Sequence, residues 1–323
     1  MHSLKQCLNN AVDRRAALLE RPETTVLRLV HGEADGVPGL VLERVGDMVI
    51  EQCFEGRLDI GEAVLRTAVD ELRQRLGAKA VYRKRFVRDR AQADDDVDAA
   101  HHDATPWLGS AVEAEVPVLE NGLTFLIRPY DGFSVGLFLE HRDNRQRIRE
   151  LATGKRVLNG FGYTCAFSVA AAAGGAASVS SVDVSKRYLE WGKRNFAANG
   201  LPLDDHRFFC SDMFDFYQRA QRQGRRFDLI VLDPPTFARL RRPARTFSIE
   251  TDLAALCSQA VELLDPGGIL FLASNCQRLS REDLISAVRH AGTRRCTILD
   301  TPLPPFDFHG DETFSKTVIA RLD

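Results

Sequence analysis

The segment Phe227-Asp-Leu-Ile-Val-Leu-Asp233-Pro234-Pro235-Thr236-Phe237 runs from a buried apolar stretch into a carboxylate, two prolines and an aromatic ring. Proline holds φ at about −65°, so the loop after Asp233 is stiff. There the Asp233 carboxylate and the Pro234 carbonyl can accept hydrogen bonds from a planar nitrogen base, and the Phe237 ring can stack on it. The competing reading is a rigid turn with a capping aspartate. Upstream, Arg156-Val-Leu-Asn-Gly-Phe-Gly-Tyr-Thr-Cys165 reads as a strand entering a glycine-containing turn, followed by a helix of small residues from Ala166 to Ala173. Such a turn brings backbone N–H groups close to a ligand at a switch point of a parallel sheet. The spacing Gly160-x-Gly162 begins a dinucleotide fingerprint, but Cys165 stands where the third glycine belongs, which weakens a pyrophosphate reading. A plain βα turn is the alternative.

Two further acids fall at strand ends. Asp183 follows the turn by about 20 residues, where a carboxylate can accept both ribose hydroxyl hydrogens. Asp212 ends the next strand, in Cys210-Ser-Asp-Met213, where it can read an adenine amino group while Met213 packs on the ring. Either acid alone reads as a helix N-cap. Their placement at successive strand ends favours a nucleoside-bearing ligand without pyrophosphate.

These residues need elements to position them. From about Leu151 the pattern alternates strictly between β and α, the signature of a parallel sheet covered by helices. Strands are expected at 156–159, 178–183, 207–210, 228–233, 269–274, 296–299 and 317–320. Helices are expected at 166–173, 186–199, 213–223, 249–264 and 281–291. This is a doubly wound α/β domain. Before it lie an amphipathic helix from Ser3 to Glu20 ended by Pro22, short strands at 26–30, 40–42 and 48–53, a helix at 60–76 and a strand at 80–82. A hairpin of 112–118 and 123–128 completes this smaller α+β part. The acid-rich stretch 91–102 reads as a loop. Domain boundaries are expected at residues 24/25 and 130/131: an N-terminal helix, a small α+β domain and the doubly wound domain.

Composition narrows the function classes. The chain has 323 residues, 43 Lys plus Arg against 45 Asp plus Glu, and 44% hydrophobic residues. Disorder, collagen and coiled coil are excluded. No apolar run approaches the roughly 20 residues that span a bilayer, and Met1 to Glu20 lacks a signal-peptide core. A cytoplasmic protein with no membrane partner is expected, and a homodimer is left open. The 7 cysteines are scattered without a Cys-x-x-Cys pair, and the histidines show no ligand spacing, so neither disulfides nor a metal is expected. Arginines cluster twice, at Arg83-Lys84-Arg85 with Arg88 and Arg90, and at Arg239, Arg241, Arg242 and Arg245 just after the Asp-Pro-Pro loop. Both can meet phosphates or form a solvated face; the second lies where a substrate would enter.

Taken together, 159–167, Ser181-Val-Asp-Val-Ser185, Tyr188-Leu-Glu-Trp-Gly-Lys-Arg-Asn195, Asn199-Gly-Leu201 and 233–237 resemble class I S-adenosylmethionine-dependent methyltransferases. More narrowly, the chain is similar to bacterial large-subunit ribosomal RNA methyltransferases that modify cytosine C5 or guanine N7. The similarity includes Arg28-Leu-Val-His-Gly-Glu-Ala-Asp-Gly-Val-Pro-Gly-Leu40 and Gly136-Leu-Phe-Leu-Glu-His-Arg142, so it covers most of the chain from about residue 25. It implies S-adenosyl-L-methionine as cofactor, ribosomal RNA as partner, a Rossmann-like fold, and substrate recognition by the small domain. By the same resemblance Asn159, Phe161, Tyr163 and Thr164 line the methionine side of the cofactor. Asp183 holds the ribose, Asp212 faces the adenine, Asp233 lies beside the transferred methyl, and Arg142 matches a position near the cofactor. The family's turn usually carries Gly where Cys165 stands. Relatives often carry an N-terminal PUA-type domain, for which the first 24 residues are too short.

The cytosine-C5 branch uses a Ser-Cys-Ser nucleophile at the end of the fifth strand. Here the strand ends Ala273-Ser274-Asn275-Cys276, with Asn275 at the nucleophile's place and Cys276 one residue later, on the opposite face of a strand. The expected activity is therefore methylation of ribosomal RNA at a base nitrogen, guanine-N7-like. The alternatives are C5 methylation through Cys276, a protein or small-molecule acceptor, and a non-catalytic RNA-binding assembly factor.

Overall fold

The computed structural model describes residues 3–86, 101–132, 134–241 and 244–323, without the side chains of residues 240–245. Two compact units result: residues 1–139 with 306–311, and residues 140–305 with 312–323. The chain thus divides at 139/140, where the sequence reading set 130/131, and the first helix belongs to the first unit.

In the first unit, β1 (Val26–His31), β2 (Leu40–Val45), β3 (Met48–Phe54), β4 (Ala80–Phe86) and β5 (Leu108–Gly109) form one sheet in sequence order. Only β3 and β4 run parallel, and α3 (Glu62–Arg75) makes their crossover. The expected first helix breaks at Arg15 into α1 (Leu4–Arg14) and α2 (Ala16–Leu19). Leu8, Ala11 and Val12 of α1 pack with Leu27 and Leu29 of β1 and with Leu65, Val69 and Leu72 of α3. The hairpin β6 (Val116–Glu120) and β7 (Leu123–Ile127) turns through Asn121 and Gly122, both with positive φ, as tight hairpin turns require.

A buried ionic network explains the 28–40 segment. Arg15, 1% exposed, donates to Asp35 at 2.8 Å and 3.2 Å and to the Asp307 carbonyl at 2.7 Å. Asp35 also accepts the His31 N–H at 2.6 Å and a bond from Arg14. The Arg28 guanidinium bonds Glu43 at 2.7 Å and lies 4.1 Å from the Phe308 ring centre. Gly39 has φ +79°, and a Cβ there would fall 2.7 Å from the Arg57 carbonyl carbon, so only glycine fits.

Two members of the first basic cluster are structural, while Arg85 is exposed. Arg83 pairs with Glu51 and Glu62 and stacks 3.4 Å over Trp107. Lys84 is buried and donates to the carbonyls of His101 and Gly132. Both are consumed inside the fold, which removes them as phosphate contacts; Arg88, Arg90 and most of the acid-rich stretch (91–100) lie outside the described residues.

The second unit is the doubly wound domain. Its sheet has the order β10 (His206–Cys210), β9 (Ser178–Asp183), β8 (Arg156–Gly160), β11 (Phe227–Leu232), β14 (Leu264–Ser274), β16 (Lys316–Leu322), β15 (Cys296–Asp300). The strands from β10 to β14 are parallel and β16 is antiparallel to both of its neighbours. Strand residues alternate between two cores. Leu158, Ile230, Leu232, Leu270 and Leu272 pack with α7 (Met213–Arg222), α8 (Ile249–Leu263) and α9 (Arg281–Arg289). Val157, Leu229, Val231, Phe271 and Ala273 pack with α4 (Arg142–Leu151) and α5 (Ala166–Ala173). Burial on both faces is why these strands read as continuous apolar runs. An unforeseen hairpin, β12 (Phe237–Arg241) and β13 (Ala244–Ser248), leaves the Asp-Pro-Pro loop. Among the described residues no helix is long and apolar enough to cross a membrane.

The Asp35 network generates a stability prediction. Burial pushes the Asp35 carboxyl up, but the Arg15 hydrogen bonds and charge outweigh it, so its pKa lies below the ordinary value. The stabilisation is then present above the unfolded carboxyl value of about 3.9 and fades as pH falls through the lower folded value. Asp35→Ala should cost about 3–5 kcal/mol at neutral pH by leaving Arg15 buried without its partner. Denaturant unfolding should show the gap to the parent narrowing on acidification.

Candidate active site

Strand register lines the acids up. Cys210 pairs with Asp183, Val182 with Gly160, Gly160 with Leu232, and Leu232 with Leu272. The carboxyl ends of β10, β9, β8, β11 and β14 therefore form one edge. The residues that follow them emerge side by side at roughly 4.8 Å per strand. β8 is flanked by the later strands β9 and β11, which makes its end the switch point of the sheet.

The turn leaving β8 is held in an uncommon shape. Phe161, Tyr163 and Cys165 have φ of +56°, +47° and +61°, a region that side-chain-bearing residues rarely enter. Asp183 holds it: Oδ2 accepts the Tyr163 N–H at 2.9 Å and Oδ1 accepts the Ser185 N–H at 2.8 Å. Burial nevertheless outweighs these N–H bonds and raises the Asp183 pKa. Asn159 is buried and donates to Ser168 Oγ at 2.8 Å, which meets Ser181 Oγ at 2.8 Å. Thr164 is fully buried, and its carbonyl accepts from Asn195 on α6 (Lys186–Ala198) at 2.9 Å. The Tyr163 ring meets Tyr188 edge-on at 4.5 Å, and Phe161 packs against Phe247 at 5.4 Å. Cys165 keeps the left-handed conformation that a glycine would take. Its side chain sits against Gly192 on α6, where a Cβ would come within 2.7 Å of the Cys165 Cβ.

Asp212 is the N-cap of α7, accepting the Phe214 N–H at 3.0 Å and the Asp215 N–H at 3.4 Å. Met213 is 2% exposed, and a Cβ on Gly160 would lie 2.7 Å from its sulfur. Met213 lies beneath Gly160, because the glycine leaves room for the thioether.

On the other side of the switch point, Asp233 accepts from His141 Nε2 at 3.2 Å. His141 precedes α4 and is buried, as is Arg142, whose Nε bonds Asp143 at 3.3 Å. Burial opposes the imidazolium, but the Asp233 charge and hydrogen bond outweigh it and raise the His141 pKa. In the sequence His141 is only a member of the 136–142 segment and has no metal-ligand spacing. Its proximity to Asp233 joins residues 92 positions apart in sequence and leaves no local signal. Pro234 is buried, whereas Phe237 is 51% exposed with the Arg239 guanidinium 5.5 Å from its ring centre. Ala238 and Phe247, paired across the hairpin, face the core. Arg242 and the side chains of Arg241 and Arg245 lie outside the described residues. At the end of β14, Cys276 is 2% exposed within the core, while Asn275 is exposed and accepts from Thr236 Oγ1 at 3.4 Å.

A family model described as S-adenosylmethionine-dependent methyltransferase matches residues 62–296. The chain belongs to this methyltransferase family. It is 32% identical over 329 aligned residues to the Deinococcus radiodurans ribosomal RNA large subunit methyltransferase, covering 98% of this chain and 78% of that protein. To ribosomal RNA large subunit methyltransferase K of Neisseria meningitidis it is 43% identical over 169 residues, 52% of this chain and 48% of that protein. The crystal structure of SMU.776 complexed with SAH matches with a TM-score of 0.87 and 27% identity, covering 98% of this chain and 80% of that one. The methyl donor of the family is S-adenosylmethionine.

For this methyltransferase, the contact between Cys165 and Gly192 gives a test of the turn. Gly192→Ala should destabilise by about 1–3 kcal/mol through overpacking. Adding Cys165→Gly should recover most of the loss, because it removes the obstructing side chain and suits the positive φ. A double-mutant cycle by denaturant unfolding measures the coupling.

Proposed function

We propose that the chain methylates large-subunit ribosomal RNA at a base nitrogen, guanine-N7-like. The observation that carries this reading is the end of β14. Cys276 is buried in the core, and the Asn275 amide stands beside Thr236. Addition to a pyrimidine requires an accessible thiolate; a ring nitrogen attacks through its own lone pair. The names of the Deinococcus and Neisseria relatives support ribosomal RNA as the acceptor.

The donor set fits the cofactor. Its ribose hydroxyls and adenine amino group are donors and its sulfonium is a cation, and the edge presents Asp183, Asp212 and Asp233 as acceptors on three strand ends. When bound, S-adenosylmethionine supplies an electrophilic methyl group. Asp183 would hold the ribose and Asp212 the adenine side, while Asn159, Phe161, Tyr163 and Thr164 shape the methionine side with Arg142 nearby. Asp233 and the Pro234 carbonyl would orient the base and Phe237 would stack on it, so catalysis is mainly positioning. Arg239 on the exposed hairpin face would meet RNA phosphates.

Mass-spectrometric mapping of modified bases in ribosomal RNA, from cells with and without the gene, tests the reading directly. A missing methyl on a base nitrogen is expected; a missing 5-methylcytosine overturns it. With purified protein, Cys276→Ala should keep most activity, and Asp233→Ala should lose about a hundredfold through misplacement of the base. An RNA containing 5-fluorocytosine should form no covalent adduct, and an adduct abolished by Cys276→Ala would establish C5 chemistry instead.

Asp183→Ala should weaken cofactor binding at least about tenfold, from loss of charge-assisted hydrogen bonds to ribose. Calorimetric titration of the folded variant checks it, and unchanged affinity would remove the ribose assignment.

A further inference from the structure

We infer that His141 is a positioning residue for Asp233, and that the proton on its ring, accommodated by the Asn144 amide, sets the charge that the acceptor base meets. The inference rests on the base-nitrogen reading proposed above. His141, Asn144 and Thr317 are all buried, at 3%, 4% and 1% exposure. His141 Nε2 lies 3.2 Å from Asp233 Oδ2, and Asn144 Nδ2 lies 3.1 Å from His141 Nδ1 and 3.0 Å from Thr317 Oγ1. With the amide so assigned, Nδ1 is an acceptor and the single ring proton sits on Nε2, facing Asp233.

The other end of that amide is the telling feature. Among the described residues Asn144 Oδ1, which is buried, has no hydrogen-bond partner. A buried unsatisfied carbonyl is costly, so its retention asks for a reason. Rotating the amide by half a turn would present Oδ1 to Nδ1, which is the acceptor that a doubly protonated ring requires. The Thr317 hydroxyl can then donate where it had accepted. The amide can therefore meet His141 Nδ1 in either charge state, with its far end unpaired in both orientations.

The groups facing the ring from each neighbouring element fix the direction. Asp233 from the loop after β11 and Glu140 just before it favour the imidazolium, while burial and Arg145 on α4 oppose it. The Phe167 ring of α5, 5.4 Å away, is neutral, as are Asn144 and Thr317. Methyl transfer to a ring nitrogen forms the N–C bond from the nitrogen lone pair and breaks the C–S bond. Positive charge passes from sulfur to the base, and no proton is released. A fully anionic Asp233 beside the base favours that change, and an imidazolium at 3.2 Å offsets it. Turnover should therefore rise as pH rises through the His141 ionisation.

The test has one arm without activity. In the cofactor-free protein, NMR titration should place the His141 ionisation above the ordinary histidine value of about 6.5. Asp233→Asn should lower it by about one unit or more. An unchanged midpoint overturns the coupling. In the second arm, His141→Gln keeps an N–H donor near Asp233 but cannot titrate. Its kcat should fall several-fold at high pH, with KM for S-adenosylmethionine little changed, and the rising limb of the kcat–pH profile should disappear. A limb that persists in the folded variant overturns the inference while the methyltransferase reading stands. Failure of the parent protein to methylate RNA at any pH would overturn that reading instead, and the NMR arm still decides the pair.

Discussion

The bond from the Tyr163 N–H to Asp183 Oδ2 is the contact on which the site depends. Three side-chain-bearing residues in five hold positive φ, each costing about 1 kcal/mol or more. That conformation persists because a carboxylate grips its middle and Met213 supports it beneath Gly160, while Gly192 leaves room for Cys165. The same carboxylate takes the Ser185 N–H at the start of α6. One side chain thus ties the switch-point turn to the neighbouring strand and to the helix behind it. Strain at the turn is offset by bonds that also fix where its backbone N–H groups point.

Much of this was legible because it is periodic. The parallel strands of the second unit feed two cores through alternate residues, and the helices between them carry caps such as Ser185, Asp212 and Ser280. The positions of Asn275 and Cys276 were legible for the same reason. Side chains alternate across a strand, so a one-residue offset at a strand end is a prediction about which one faces the loop. What was not legible depends on contacts without a period. Nothing in the sequence shows that Met213 packs beneath Gly160, which opens a space under the turn. His141 looks like an ordinary member of a motif until the loop after β11 reaches it. Arg83 and Lys84 look like phosphate contacts until Glu51 and two carbonyls account for them.

The arginines are thereby divided by environment rather than by sequence density. Arg15, Arg28 and Arg83 pair with acids in or near the interior of the first unit, where an unpaired charge would be costly. Arg239 is exposed on a short hairpin whose opposite face is anchored by Ala238 and Phe247. A near-neutral chain can therefore still present a local basic surface, because acids of the first unit already neutralise Arg15, Arg28 and Arg83.

That division bears on how one edge could serve two ligands of opposite charge. Carboxylates at the ends of β9, β10 and β11 suit a cationic cofactor, but they repel RNA phosphates. On the proposed reading, phosphate attraction must come from elements that project away from those acids, and the hairpin after Asp-Pro-Pro has that position in the chain. The loop begins with the acid beside the reaction and leads within a few residues to an aromatic ring and then to Arg239. A base and its own phosphate are likewise separated by only one sugar. The order carboxylate, proline, aromatic, arginine along the chain therefore has the same sequence of chemistry as a nucleotide entering base first. His141 acts at the base end of that series, where a change of one charge bears on the bond being made and least on RNA binding.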